Sequence, residues 1–123
     1  MGALAFFLPG RIETLTGGYE YDRQVIAGLQ TRGWRVSVTE LDASFPSPTP
    51  AALADAASRL AAEADDALVM VDGLAMGAMP EVIEREHRRL AIVALVHHPL
   101  GAETGLDSAR SAWLFASERR ALA

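Results

Sequence analysis

The sequence of 123 residues predicts one α/β domain built on a parallel sheet of about four strands. Four short apolar runs of strand length, at residues 3–8, 34–41, 67–71 and 90–96, alternate with segments whose apolar residues recur at helical spacing. Three of these runs are continuously apolar, which is typical of parallel strands that are buried on both faces. The repeated order of strand and helix therefore favours a sheet covered by helices on both sides.

A glycine turn, Thr16-Gly17-Gly18, follows the first strand and begins the first helix, which is predicted over residues 18–32. Gly33 is expected to end this helix, because glycine readily adopts the left-handed conformation found after a helix. The start of the helix offers backbone N–H groups and a partial positive charge, both of which suit an anion. The apolar positions at helical spacing are Tyr21, Val25, Ile26 and Leu29.

A proline-rich connection joins the second strand to the second helix. The second strand alternates β-branched and polar residues, so we expect it to be less buried than the first. Three prolines in five positions exclude regular structure in the connection. Thr49 is predicted to cap the second helix, with Pro50 at its first position and an alanine-rich body that ends at residue 64.

Titratable residues follow directly after the third and the fourth strand. Asp72 follows the third strand and the pair His97-His98 follows the fourth. A short helix predicted over residues 79–89 lies between them, and the last helix is predicted from residue 109. With right-handed crossovers the expected spatial order of the strands is 2-1-3-4. This order places Asp72, the two histidines and the glycine turn around the crevice between the first and third strands, where open sheets bind ligands.

Composition excludes several classes of protein. There are 16 acidic and 11 basic residues, so the net charge of −5 draws the domain neither to nucleic acid nor to an anionic membrane. Without cysteine the chain has no disulfide framework or thiolate metal site, and we expect a cytoplasmic protein. The apolar runs are far shorter than the ~20 residues of a membrane-spanning helix, and the first lacks a basic leader. We therefore expect no transmembrane segment and no signal peptide.

The candidate site residues also have ordinary structural explanations. The pair Gly17-Gly18 has neither the third glycine of a dinucleotide fingerprint nor a P-loop lysine, so neither NAD nor ATP is favoured. Asp72 is suited to capping the next helix. Neighbouring residues of a strand face opposite sides, so only one of His97 and His98 is expected to face the crevice. Adjacent histidines do not match the usual ligand spacing, so we expect no metal site. A hydrolase or metalloenzyme would need Asp72 and His97 within hydrogen-bond or ligand distance.

Taken in order, these motifs resemble the amino-terminal half of a GT-B glycosyltransferase of the family 4 type. The resemblance covers nearly the whole chain, and its specificity lies in the order of the motifs, because each one is common by itself. The motifs are Thr16-Gly17-Gly18, residues 29–38 (LQTRGWRVSV), residues 69–73 (VMVDG), residues 93–99 (VALVHHP) and residues 116–122 (ASERRAL).

The resemblance implies a Rossmann-like three-layer α/β/α domain, the acceptor-side half of an enzyme that transfers a sugar from a nucleotide-sugar donor, with retention and without a cofactor. It places Thr16, Gly17 and Gly18 near the donor diphosphate, and His97 near the transferred sugar. Many members of the family have Asp where this chain has His98. The carboxyl-terminal domain of the family, with most of the nucleotide contacts, is absent, so residues 1–123 are expected to be a truncated, inactive half.

Other charged and apolar residues add further expectations. Glu20, Asp72, His98 and Glu103 are candidates for acceptor or cleft contacts. The apolar residues Trp113, Leu114 and Leu122 of the last helix are expected to lack cover, which favours a homodimer through this helix.

The rival hypothesis is a freestanding flavodoxin-like module that binds a small anion without catalysis. We expect truncation instead, because the last helix shows no stop signal.

Overall fold

The computed structural model describes residues 2–97, 101 and 106–123, and it confirms the α/β class. In chain order the elements are β1 (Ala3–Pro9), α1 (Gly17–Thr31), β2 (Arg35–Leu41), α2 (Pro50–Ala61), β3 (Leu68–Asp72), α3 (Gly73–Met76), α4 (Pro80–Glu86), β4 (Ala91–Leu95) and α5 (Ser108–Leu122). No helix in these ranges is both long and apolar enough to cross a membrane.

The four strands form one parallel sheet in the order β2-β1-β3-β4. The predicted order is therefore confirmed, and the direction of winding reverses between β1 and β3. Phe7 pairs with Val71, and Asp72 pairs with Leu95, so β1, β3 and β4 end at the same edge of the sheet. Because β1 and β3 are neighbours at the reversal, the crevice between them opens at that edge.

Alternate side chains of β1 divide the core between the two faces of the sheet. Leu4, Phe6 and Leu8 pack with Tyr19 and Ile26 of α1 on one face. On the other face, β1 packs with residues of α2, α3, α4 and α5. This division produces the three layers, and β1 is buried along nearly its whole length, whereas the edge strand β2 is mostly exposed, as its alternating sequence predicts.

The predicted helix ends are largely confirmed. Thr49 caps α2 by accepting a hydrogen bond from the backbone N–H of Ala52 at 3.0 Å. Gly33 follows α1 with a φ of +88°, which is the conformation expected of a glycine at a helix end. The prediction for residues 79–89 was too long, since α4 ends at Glu86. His87 is exposed there, and Glu86 is buried and pairs with Arg89 at 3.0 Å.

The last helix is attached to the core by a residue that was expected to be exposed. Leu114 is fully buried in the main core cluster, so that expectation was wrong. Ser117 reinforces the attachment, because its hydroxyl donates a hydrogen bond to the carbonyl of Gly77 at 2.7 Å. Trp113 and Leu122 are about half exposed, as predicted.

Candidate functional site

Three side chains from three elements meet at the carboxyl edge of the sheet. Asp22 comes from the second turn of α1, Asp72 from the end of β3, and His97 from the segment after β4. Both carboxyl groups are fully buried, and the side chain of His97 is 20% exposed. We refer to these three residues as the carboxyl–histidine cluster.

The cluster is held together through one nitrogen of the histidine ring. Nε2 of His97 lies 2.9 Å from Oδ1 of Asp22 and 3.3 Å from Oδ2 of Asp72. The other oxygen of Asp72 accepts a hydrogen bond from the backbone N–H of Leu74 at 2.8 Å and so caps α3. Asp72 therefore fulfils both expectations that the sequence raises, since it caps a helix and also lies in the cluster.

The glycine turn lies directly against the histidine. Thr16 caps α1, because its hydroxyl oxygen accepts a hydrogen bond from the backbone N–H of Tyr19 at 3.2 Å. A Cβ atom at Gly18 would lie 3.4 Å from Cδ2 of His97, whereas a Cβ at Gly17 would meet no described atom within 4 Å. A side chain longer than a methyl group at position 18 would therefore meet the imidazole ring.

Helix α1 presents a single face to the histidine ring. Gly18, Tyr21 and Asp22 are spaced three and four positions apart, so they lie along one side of the helix. The ring of Tyr21 meets the ring of His97 edge to face, with centroids 5.5 Å apart and an interplanar angle of 81°. The ring of His97 is therefore contacted by an aromatic side chain and by a carboxyl group of α1, and it lies beside Gly18.

Tyr19 connects the start of α1 to the end of β1. Its buried hydroxyl donates a hydrogen bond to the carbonyl oxygen of Pro9. Burial raises the pKa of Tyr19 to about 12, and the nearby charges of Asp72 and Asp22 contribute in the same direction. The phenol therefore stays protonated and remains a hydrogen-bond donor at any physiological pH.

Asp22 holds its proton far more tightly than an ordinary carboxyl group. Burial, followed by a hydrogen bond with Asp72 and the charge of Asp72, raises the pKa of Asp22 to about 8, against a smaller opposing effect of Arg23. Oδ2 of Asp22 is buried and has no hydrogen-bond partner among the described residues. A protonated Asp22 can donate a hydrogen bond to Asp72, whereas two carboxylates can only accept.

The sequence-predicted residues divide into those that join the cluster and those that do not. Asp72 and His97 join it, and Gly18 contacts it. Glu20 is exposed, and its carboxylate is bonded to Arg23 at 2.6 Å and to Gln24 at 3.2 Å. Arg23 and Gln24 lie on the same helix as Glu20, so these contacts do not bring it to the cluster. His98 and Glu103 lie outside the described residues.

Asp22 was not predicted as a site residue from the sequence. The helix was expected to place Tyr21 on its apolar side, but Tyr21 is 53% exposed and the buried positions are Tyr19, Asp22 and Ile26. These residues follow the spacing of three and four that marks a buried stripe, and Leu29 extends it. A carboxylate in the middle of an apolar stripe was the available signal, because a buried charge needs a partner.

The cluster could also hold a metal ion. Asp22, Asp72 and His97 each offer one ligand atom, and these atoms lie within 4.8 Å of one another. One nitrogen and two oxygens are donors that several divalent transition metals accept. Asp72 and His97 lie within hydrogen-bond distance of each other, which is the geometry that a hydrolase or metalloenzyme would need. The expectation that the chain has no metal site stays a prediction.

Comparisons of the chain with protein-family models, with curated proteins and with solved structures find no match. The functional argument therefore depends on the geometry of the sheet edge. Chemically, this edge combines a helix start able to bind an anion with a histidine whose orientation is fixed by two buried carboxyl groups.

Proposed function

We propose that this chain is the acceptor-side domain of a GT-B glycosyltransferase of the family 4 type, which transfers a sugar from a nucleotide-sugar donor to an acceptor. One observation carries the proposal: a Cβ atom at Gly18 would lie 3.4 Å from the ring of His97, so the glycine turn and the histidine are neighbours. The resemblance assigns the glycine turn to the donor diphosphate and the histidine to the transferred sugar. In a nucleotide sugar these two groups are covalently joined, so their protein contacts must be adjacent.

The position of the contact supports the same proposal. Gly17 and Gly18 begin the helix that follows β1, at the point where the winding of the sheet reverses. The hydroxyl of Thr16 accepts from one backbone N–H of the first turn. The other N–H groups at the start of a helix have no partner within the helix, and they favour a phosphate. No described atom would touch a Cβ at Gly17, which leaves room for a ligand to approach the backbone.

A freestanding module that binds a small anion is the second candidate. The open surroundings of Gly17 favour it as well, because they would admit a phosphate with no sugar attached. The two candidates differ in the role of His97: sugar transfer requires it, whereas binding of an anion to the helix start does not.

The test is the release of nucleoside diphosphate from a panel of nucleotide-sugar donors by the full-length gene product. We expect His97→Gln to reduce this release by at least tenfold. The matched control is His87→Gln, because His87 is exposed just after α4 and lies outside the cluster. Equal release by the wild type and His97→Gln would remove His97 from the site. No release with any donor, combined with phosphate binding by the chain, would favour the anion-binding module.

A further inference from the structure

We infer that Asp22 is a positioning residue: with Asp72 it holds His97 through a hydrogen on Nε2, so that Nδ1 is the nitrogen directed to the cleft. The use of Nδ1 in sugar transfer rests on the proposed function. The hydrogen-bond arrangement itself does not, and it can be measured on this chain alone.

The first step follows from the atoms that converge on Nε2. Oδ1 of Asp22 and Oδ2 of Asp72 lie 2.9 Å and 3.3 Å from it, and both are oxygens of carboxyl groups. A bare imidazole nitrogen is an acceptor, so it would face a second acceptor at hydrogen-bond distance. Nε2 must therefore bear a hydrogen, and Asp22 is its nearer acceptor.

The second step concerns the burial of the two carboxyl groups. Both are fully buried, so the hydrogen on Nε2 is held by acceptors that lie out of solvent. Oδ1 of Asp72 also accepts a hydrogen bond from the backbone N–H of Leu74, which fixes this carboxyl group at the end of β3.

Among the described residues, the other charged and titratable donors near the cluster are engaged elsewhere. The guanidinium of Arg23 donates to the carbonyl oxygens of Ile12 and Thr14, at 2.6 Å and 3.0 Å, and to Glu20. The hydroxyl of Tyr19 donates to a backbone carbonyl.

The third step concerns the ring as a whole. Gly18 lies beside the Cδ2 edge of the imidazole and Tyr21 meets the ring edge to face, so packing supports the orientation that the carboxyl groups impose. The two nitrogens of an imidazole point in divergent directions. A ring whose Nε2 is held by buried carboxyl groups therefore directs Nδ1 away from them. Asp22 then affects a substrate only through its effect on His97.

The test is nuclear magnetic resonance of the ¹⁵N-labelled chain at neutral pH, with the His97 signals identified by their loss in His97→Gln. We expect a hydrogen on Nε2 that exchanges with water at least tenfold more slowly than in Asp22→Ala. In Asp22→Asn this protection should be largely restored, because the amide oxygen still accepts from Nε2 and the amide N–H₂ still donates to Asp72. Asp55→Ala is the control, since Asp55 lies in an exposed ion pair on α2.

A bare Nε2 in the wild type would overturn the inference, and this outcome needs no variant that must fold. Equal protection in the wild type and in folded Asp22→Ala would overturn it as well. In the full-length protein, Asp22→Ala should lower kcat for donor turnover, and Asp22→Asn should recover most of it. Failure of every donor to react would remove the proposed function but leave the spectrum unchanged, so the two failures are distinguishable.

Discussion

Asp22 and His97 are separated by 75 positions in the chain, yet Oδ1 of the aspartate lies 2.9 Å from Nε2 of the histidine. The bond joins the helix that follows β1 to the segment that follows β4, across the edge where the sheet reverses its winding. Because Asp22 is fully buried, the bond to His97 replaces a hydrogen bond that this carboxyl group would otherwise make to water. Four predictions concern the cluster, the glycine turn beside it and the last helix.

The stability of the domain should fall as the pH rises from about 4 to about 8. The pKa of Asp22 is about 8 in the folded chain and about 3.9 in an unfolded one, so the native state binds the extra proton throughout this range. The stabilisation that protonated Asp22 contributes is fully present below pH ~4. It is lost as the pH rises through the pKa of Asp22 in the folded chain, at no more than about 1.4 kcal/mol per pH unit.

Urea unfolding at pH 5 and pH 8 measures this loss. We expect Asp22→Asn to reduce it and to be more stable than the wild type at pH 8, because the amide mimics the protonated acid. Asp55→Asn removes an exposed carboxylate on α2 and should retain the wild-type difference. Identical pH dependence in the wild type and Asp22→Asn would show that Asp22 does not hold the proton.

A large side chain at position 18 should displace His97. Gly18→Leu places atoms where the ring now lies, since even a Cβ there would be 3.4 Å from Cδ2. We expect a loss of about 1–3 kcal/mol in the free energy of unfolding and loss of the Nε2–H protection of His97. Gly17→Leu is the matched control, because its Cβ would meet no described atom. If both variants behave alike, the contact between Gly18 and His97 does not constrain the ring.

Leu114 should account for much of the attachment of α5 to the core. It is fully buried, so Leu114→Ala is expected to lower the free energy of unfolding by about 2–5 kcal/mol. Leu122→Ala, on the same helix but 48% exposed, should cost far less. Thermal and urea unfolding of both variants make the comparison. A small effect at position 114 would mean that α5 is not docked as described.

The exposed apolar surface of α5 should mediate self-association. Phe115 and Leu122 are seven positions apart, so they share one side of the helix, while Trp113 lies on another side and stacks with Arg110 at 4.5 Å. We predict a homodimer through Phe115 and Leu122, with Phe115→Ser/Leu122→Ser shifting sedimentation toward the monomer. Leu15→Ser, at an exposed loop position, is the control. A strict monomer at high concentration would contradict the prediction.

The order of the strands, and most of the residues that meet at the carboxyl edge of the sheet, could be predicted from sequence patterns. Continuous apolar runs mark buried parallel strands, and right-handed crossovers then fix which loops meet, so the convergence of Gly18, Asp72 and His97 was predictable. The short helix α3 was not predicted, because a four-residue helix has no apolar period and depends on the cap that Asp72 provides. Asp22 was missed because a charged residue in a helix is usually solvated. The burial of Asp22 is explained by its hydrogen bond to His97, a residue 75 positions away in the sequence.

The central claim is that the glycine turn and His97 contact the same ligand, and a titration of the ¹⁵N-labelled chain with nucleoside diphosphates tests it most directly. The proposed function assigns to this chain one wall of a cleft shared with a second domain, so millimolar affinity is expected, which chemical-shift changes can detect. We predict that the backbone amides of Gly17 and Gly18 and the ring of His97 shift together with one common Kd. Shifts confined to other parts of the chain, or a helix start and a histidine that respond independently, would contradict the account.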